Sequence, residues 1–267
     1  MSPLEERSDH EQAITIADPA PTSKPLHQRS SRSALRTRFM NSPQRHTLPP
    51  RSSITSLTDP QRICAGWIAA VAWLGLGIRL YADLSAAVGE GSSILGCVIE
   101  FLSYFSTQAN ILVALSMTLA AARSSAIPLL LRPSAQGALV VYMIVIGVTF
   151  ELLLRTSEPW LPWLADTIMH VAVPTLYVIY YALDPSKGRL VWWDPLKWLI
   201  YPLIYLICTM LRGAGDGRYP YPFIDVAKIG YPTTLQNSLV FLVLFAVLGG
   251  AVTLADYWMA RLVNYQK

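Results

Sequence analysis

Six apolar runs, separated by short polar stretches, constrain this chain more than any motif it carries. They cover residues 63–84, 94–122, 135–154, 163–183, 196–211 and 235–260. A helix of about 20 apolar residues crosses the roughly 30 Å hydrocarbon layer of a bilayer. Charged residues make up only 14% of the chain, against about 25% in soluble domains. Much of that charge sits in the first sixty residues, so the runs are poorer still. The pattern predicts an all-α, polytopic membrane helix bundle with about six transmembrane helices. It excludes a transmembrane β-barrel, whose strands alternate apolar and polar residues over short segments.

Residues 1–59 read differently. They are rich in Ser, Thr, Pro and Arg and lack an apolar period. Such a stretch buries too little surface to offset chain entropy, which predicts a disordered tail ahead of a membrane domain at 60–267. No apolar segment opens the chain, so no cleavable signal peptide is expected. Glu5, Glu6, Asp9 and Glu11 argue against a mitochondrial presequence. Six spans place both termini on one side. With those termini cytoplasmic, only Arg79, Arg155, Arg212, Arg218 and Lys228 of the 21 Lys and Arg fall outside. That bias is the positive-inside pattern and predicts a multi-pass protein of the cell membrane. The pI near 9.0 then concerns topology and anionic lipid, not nucleic acid. Cys64, Cys97 and Cys208 lie in apolar runs without a CxxC pair and read as packing residues.

The run at 94–122 carries Glu100, Ser103, Thr107 and Asn110, at steps of three, four and three. As one helix, it would hold them on one face. A polar face cannot meet lipid cheaply, so it should meet other helices or a water-filled space. Its natural partner is His170, the only histidine in the apolar part of the chain. Asp166 stands four residues before His170 and shares its face. Pro174 has no N–H for the His170 carbonyl, which predicts a kink beside the histidine. With Thr107 and His170 at different distances into their runs, their depths differ by roughly 9 Å at 1.5 Å per residue, a gap that helix tilt can close.

A hydroxyl beside a neutral imidazole is a nucleophile beside its base. In that arrangement Thr107 attacks, His170 takes the proton, Asp166 orients the ring and Asn110 donates to an oxyanion. The same residues also serve two other readings. One is hydrogen bonding between helices alone, in a non-catalytic scaffold. The other is a proton or small-solute path through Glu100, Asp166 and His170. Glu151 and Arg155 pair four apart on the third run. Arg155 and Arg212, with Glu100, are candidate substrate-binding residues near the outer surface. One histidine with scattered carboxylates supplies no metal set. The loop RGAGDGRYPYPFIDV alternates Tyr219, Tyr221 and Phe223 with prolines, as an interfacial aromatic belt or a lid over an outward cavity would.

The segments SYFSTQANILVAL, LADTIMHVAVP, DPLKWLIYPLIY and RYPYPFIDV resemble the bacterial Pr-six-Pr-type integral membrane proteins. The chain is more distantly similar to the androgen-induced, FAR-17a-like six-span proteins of animals. The resemblance covers about residues 63–263. Members of the animal branch are threonine hydrolases of fatty acid esters of hydroxy fatty acids. By resemblance, Thr107 is the nucleophile and His170 the essential histidine, and Asn110 keeps the T-x-x-N spacing. The implied partners are the bilayer and a lipid or small-molecule substrate, with no nucleic acid, metal or cofactor.

Overall fold

The computed structural model describes residues 57–124, 126–155 and 159–265. The expected disordered tail lies, up to residue 56, outside the described residues. The elements are helical: α1 (Asp59–Gly89), α2 (Ile94–Ser103), α3 (Phe105–Ala122), α4 (Pro133–Thr149), α5 (Trp160–Thr167), α6 (Val173–Leu183), α7 (Asp194–Trp198), α8 (Ile200–Asp216) and α9 (Val226–Tyr265). A π turn at Phe150–Leu154 extends α4, and a second, Ile168–Ala172, joins α5 to α6. Inside α9, Gly230 takes a φ of 75°, a left-handed value that suits glycine. The long membrane helix therefore starts at Tyr231, with Pro232 in its first turn.

Among the described residues, five helices are long and apolar enough to cross a membrane: Asp59–Gly89, Phe105–Ala122, Pro133–Leu154, Asp194–Asp216 and Val226–Leu262. The chain is thus an all-helical membrane bundle. The expected span 163–183 is also continuously helical, over 160–183. Asp166, Thr167 and His170 leave it less apolar than the other five. The clearest departure lies in the run 94–122, which is two helices. Tyr104 is extended, at φ −79° and ψ 132°, so Glu100 and Ser103 do not continue the face of Thr107 and Asn110.

Why does the break hold? A helix end leaves carbonyls and N–H groups without partners. Here the Leu102 carbonyl accepts from the Gln108 side chain at 2.9 Å, and the Ser103 carbonyl from the Tyr205 hydroxyl at 3.0 Å. The Ser106 N–H, at the start of α3, donates to the Tyr221 hydroxyl at 3.2 Å. The partners come from three different parts of the chain. Just after the break, Phe105 packs edge-on against Tyr142, Tyr205 and Phe245, with ring centres 5.2–5.8 Å apart. Such aromatic pairs contribute about 0.5–1.5 kcal/mol each beyond area burial, and they fix where α3 begins.

Helix α1 packs along α3 and α5. At Gly75 a Cβ would stand 2.6 Å from Ile168 Cγ2 and 3.1 Å from Met169 Cγ. The absent side chain lets α1 lie directly against the second π turn. Gly75→Ala is expected to lower stability by about 1–3 kcal/mol through overpacking. Gly77, two residues on, has nothing within 4 Å of its Cβ position. Gly77→Ala should hold or raise stability, by up to about 1 kcal/mol of helix propensity. Thermal unfolding in detergent compares the two. Equal behaviour would contradict the close approach at Gly75.

Candidate functional site

His170 lies in the π turn at Ile168–Ala172, and its ring stacks on Phe150 from the first π turn, with centres 4.4 Å apart and planes 11° apart. Single π turns within α-helices recur at functional sites, where the extra residue displaces a side chain from the regular face. The imidazole Nδ1 is 3.0 Å from the Asp166 carbonyl oxygen. A carbonyl only accepts, so Nδ1 carries the hydrogen and Nε2 keeps its lone pair. The ring is thereby set as a base at Nε2. Its orientation comes from the backbone of Asp166 and from Phe150. The Asp166 carboxylate is 3.9 Å from Nδ1. It is bonded at 3.0 Å to Arg79 of α1, so the closer contact to the ring comes from the Asp166 backbone carbonyl.

One face of His170 closes an apolar cavity of about 100 Å³ between α3, α4, α8 and α9. Ser106, Thr149, Tyr205, Tyr221 and Ser238 are the hydroxyl-bearing residues of its wall, and Phe241 and Phe245 are among the apolar ones. The loop 217–225 covers it. Tyr221, Phe223 and Ile224 form this roof. Tyr221 and Phe223 stack with centres 5.1 Å apart, and Asn237 of α9 donates to the Phe223 carbonyl at 2.8 Å. The aromatic loop is thus packed over the cavity and not simply spread at an interface.

Thr107 is not in that wall. It is buried, 3% exposed, on the side of α3 turned away from the cavity. One residue earlier, Ser106 faces the space that His170 faces. Asn110 is fully buried, and its amide gives both hydrogens away, to the Ser106 carbonyl at 2.8 Å and the Met169 carbonyl at 3.1 Å. No donor remains for an oxyanion. Its Oδ1 is buried without a hydrogen bond. Asn110 therefore ties α3 to the π turn that carries His170.

The expected substrate-binding charges lie elsewhere. Arg212 of α8 is bonded to Glu100 and Ser103 of α2 and to Asp216. Two carboxylates already neutralise it, and it lines a separate groove beside α2. Arg155 pairs with Glu151 at the exposed end of the first π turn. Neither arginine lines the cavity. The residues that sequence reasoning missed are Ser106, Phe150, Tyr205 and Arg79. A signal existed for Ser106, which adjoins Thr107, and Tyr221 was already named in the aromatic loop. No protein family, curated protein or solved structure matches the chain.

Proposed function

We propose that this membrane protein is a hydrolase of lipid esters, with Ser106 as nucleophile and His170 as base. The observation that carries the reading is that Ser106 and His170 line one apolar cavity. The resemblance to the FAR-17a-like hydrolases points to the same reaction class but to Thr107; the nucleophile's role moves to Ser106 because Ser106 lines the cavity. Ser106 Oγ attacks the ester carbonyl while His170 Nε2 takes its proton. The tetrahedral intermediate collapses, and His170 returns the proton to the leaving alcohol. A water molecule, deprotonated by His170, then releases the acyl group as the acid. The Ser106 N–H, at the start of α3, is the candidate oxyanion donor. Tyr221 now takes that hydrogen bond, so substrate binding requires the loop to yield it. With both termini cytoplasmic, the loop 217–225 over the cavity lies on the outer side.

The break at Tyr104 favours a second reading, a solute or proton path, because transporters use discontinuous helices. Two relay candidates argue against it: Glu100 is held by Arg212 and Asp166 by Arg79. The deciding experiment is hydrolysis of fatty esters by the purified protein in detergent. Release of free fatty acid is expected. A folded protein that cleaves no ester but moves protons in proteoliposomes would replace this reading with the second.

A further inference from the structure

The cavity is small for a lipid ester. An apolar cavity of roughly 150 Å³ takes a benzene-sized guest, and this one is about 100 Å³. It holds a carbonyl and a few carbons. The rest of a long chain needs another place. The roof offers none, because Tyr221 is bonded to Ser106 and Phe223 to Asn237.

His170 borders a second space. A groove of about 510 Å³ runs between α4 and α6. It lies on the other face of α4, where Ile144, Gly147 and Val148 line it, whereas Val145, Ile146 and Thr149 line the cavity. Among the described residues, His170 alone lines both spaces. From His170 to Ile179 the groove follows about 13 Å of helix at 1.5 Å per residue. Its walls are apolar and open to the outside of the bundle: Val148 is 44% and Ile179 49% exposed. In a membrane protein that outside is hydrocarbon. The floor is Gly147, whose missing side chain leaves the His170 carbonyl 3.2 Å from its Cβ position. Both helices carry their π turn where the groove reaches His170.

We propose that this groove takes the acyl chain of the ester substrate, which enters sideways from the bilayer. The chain lies along α4 and α6, and the ester group reaches Ser106 past His170. This rests on the hydrolase reading above, but the groove is testable without turnover.

The test uses the full chain in phospholipid nanodiscs with a 16-carbon fatty ester bearing a diazirine near the chain end. After irradiation, adducts are mapped by mass spectrometry. They are expected to concentrate on residues 144–152 and 171–179, at least several-fold above other lipid-facing positions such as Ile204, Ile207 and Leu239. Excess unlabelled ester should remove them, and the same amount of phospholipid should not. Val148→Trp and Ile179→Trp fill the groove without touching the cavity wall. In variants that melt as the wild type does, each should cut groove adducts several-fold. Adducts spread evenly over the lipid-facing helices, or equal competition by phospholipid, would overturn the proposal. Groove adducts without ester cleavage would overturn the hydrolase reading instead and leave the groove as a chain-binding site. Cleavage with evenly spread adducts would do the reverse.

Discussion

Ser106→Ala is expected to abolish covalent labelling by an alkyl fluorophosphonate, whereas Thr107→Ala keeps most of it. The two residues are adjacent, but a helix turns about 100° per residue. After the break at Tyr104, that rotation turns Ser106 into the cavity and Thr107 away from it. Loss of an activated nucleophile typically costs 10³-fold or more, because the remaining binding and oxyanion contacts supply only a residue of the rate. His170→Ala removes the base and should slow labelling about 10²–10⁴-fold. Thr107→Ala removes a buried hydroxyl and should cost stability, about 1 kcal/mol, with labelling rates within a few-fold of wild type. The modified peptide identifies the nucleophile directly. An adduct on Thr107 would restore the assignment that the resemblance implies and would show that α3 rotates before reaction.

The bundle itself was legible. Run length and the deficit of charge predict helices of membrane-spanning length, and each of the six runs is helical. The break at Tyr104 was not. Its neighbours are Ser103 and Phe105, with no Gly or Pro nearby to punctuate the helix. Two of the three groups that take up the freed backbone there are distant in sequence, Tyr205 and Tyr221; the third, Gln108, is local. Local propensity cannot report a helix end that is stabilised by residues about a hundred positions away.

The candidate site was half legible for the same reason. His170 stood out because it is the only histidine among the apolar runs, and the structure puts it against a cavity. Asp166 was placed correctly on its face, four residues away. Its ion partner was not predictable, since Arg79 lies 87 residues earlier. The choice between Ser106 and Thr107 depended on helix phase. A 94–122 helix read as continuous carries the phase of Glu100 through to Asn110. The extended residue at 104 resets it.

Arg79→Ala is expected to destabilise the folded bundle by about 3 kcal/mol. Arg79 stands between two carboxylates, bonded at 3.1 Å to Asp83 on its own helix and at 3.0 Å to Asp166 across the bundle. The side chains are 28%, 26% and 16% exposed. Removing one partner of a buried ion pair costs about 3–5 kcal/mol, because the other charge stays behind in low dielectric. Partial exposure puts this cluster at the low end. Arg79→Lys should recover only part of the loss, since one ammonium cannot bridge two carboxylates as a planar guanidinium does. Asp166→Asn in the Arg79→Ala background should recover part of the loss, by removing one of the two carboxylates that Arg79 bonds. Thermal unfolding in detergent reads all three. A change below about 0.5 kcal/mol in Arg79→Ala would mean the cluster is solvated and structurally idle. The consequence reaches the site as well. The Asp166 carbonyl holds His170 Nδ1 at 3.0 Å, so the residue that Arg79 pins is the one that orients the base. Arg79→Ala should therefore slow fluorophosphonate labelling even at temperatures where the protein is folded, and Asp166→Asn alone, which keeps that carbonyl, should slow it less.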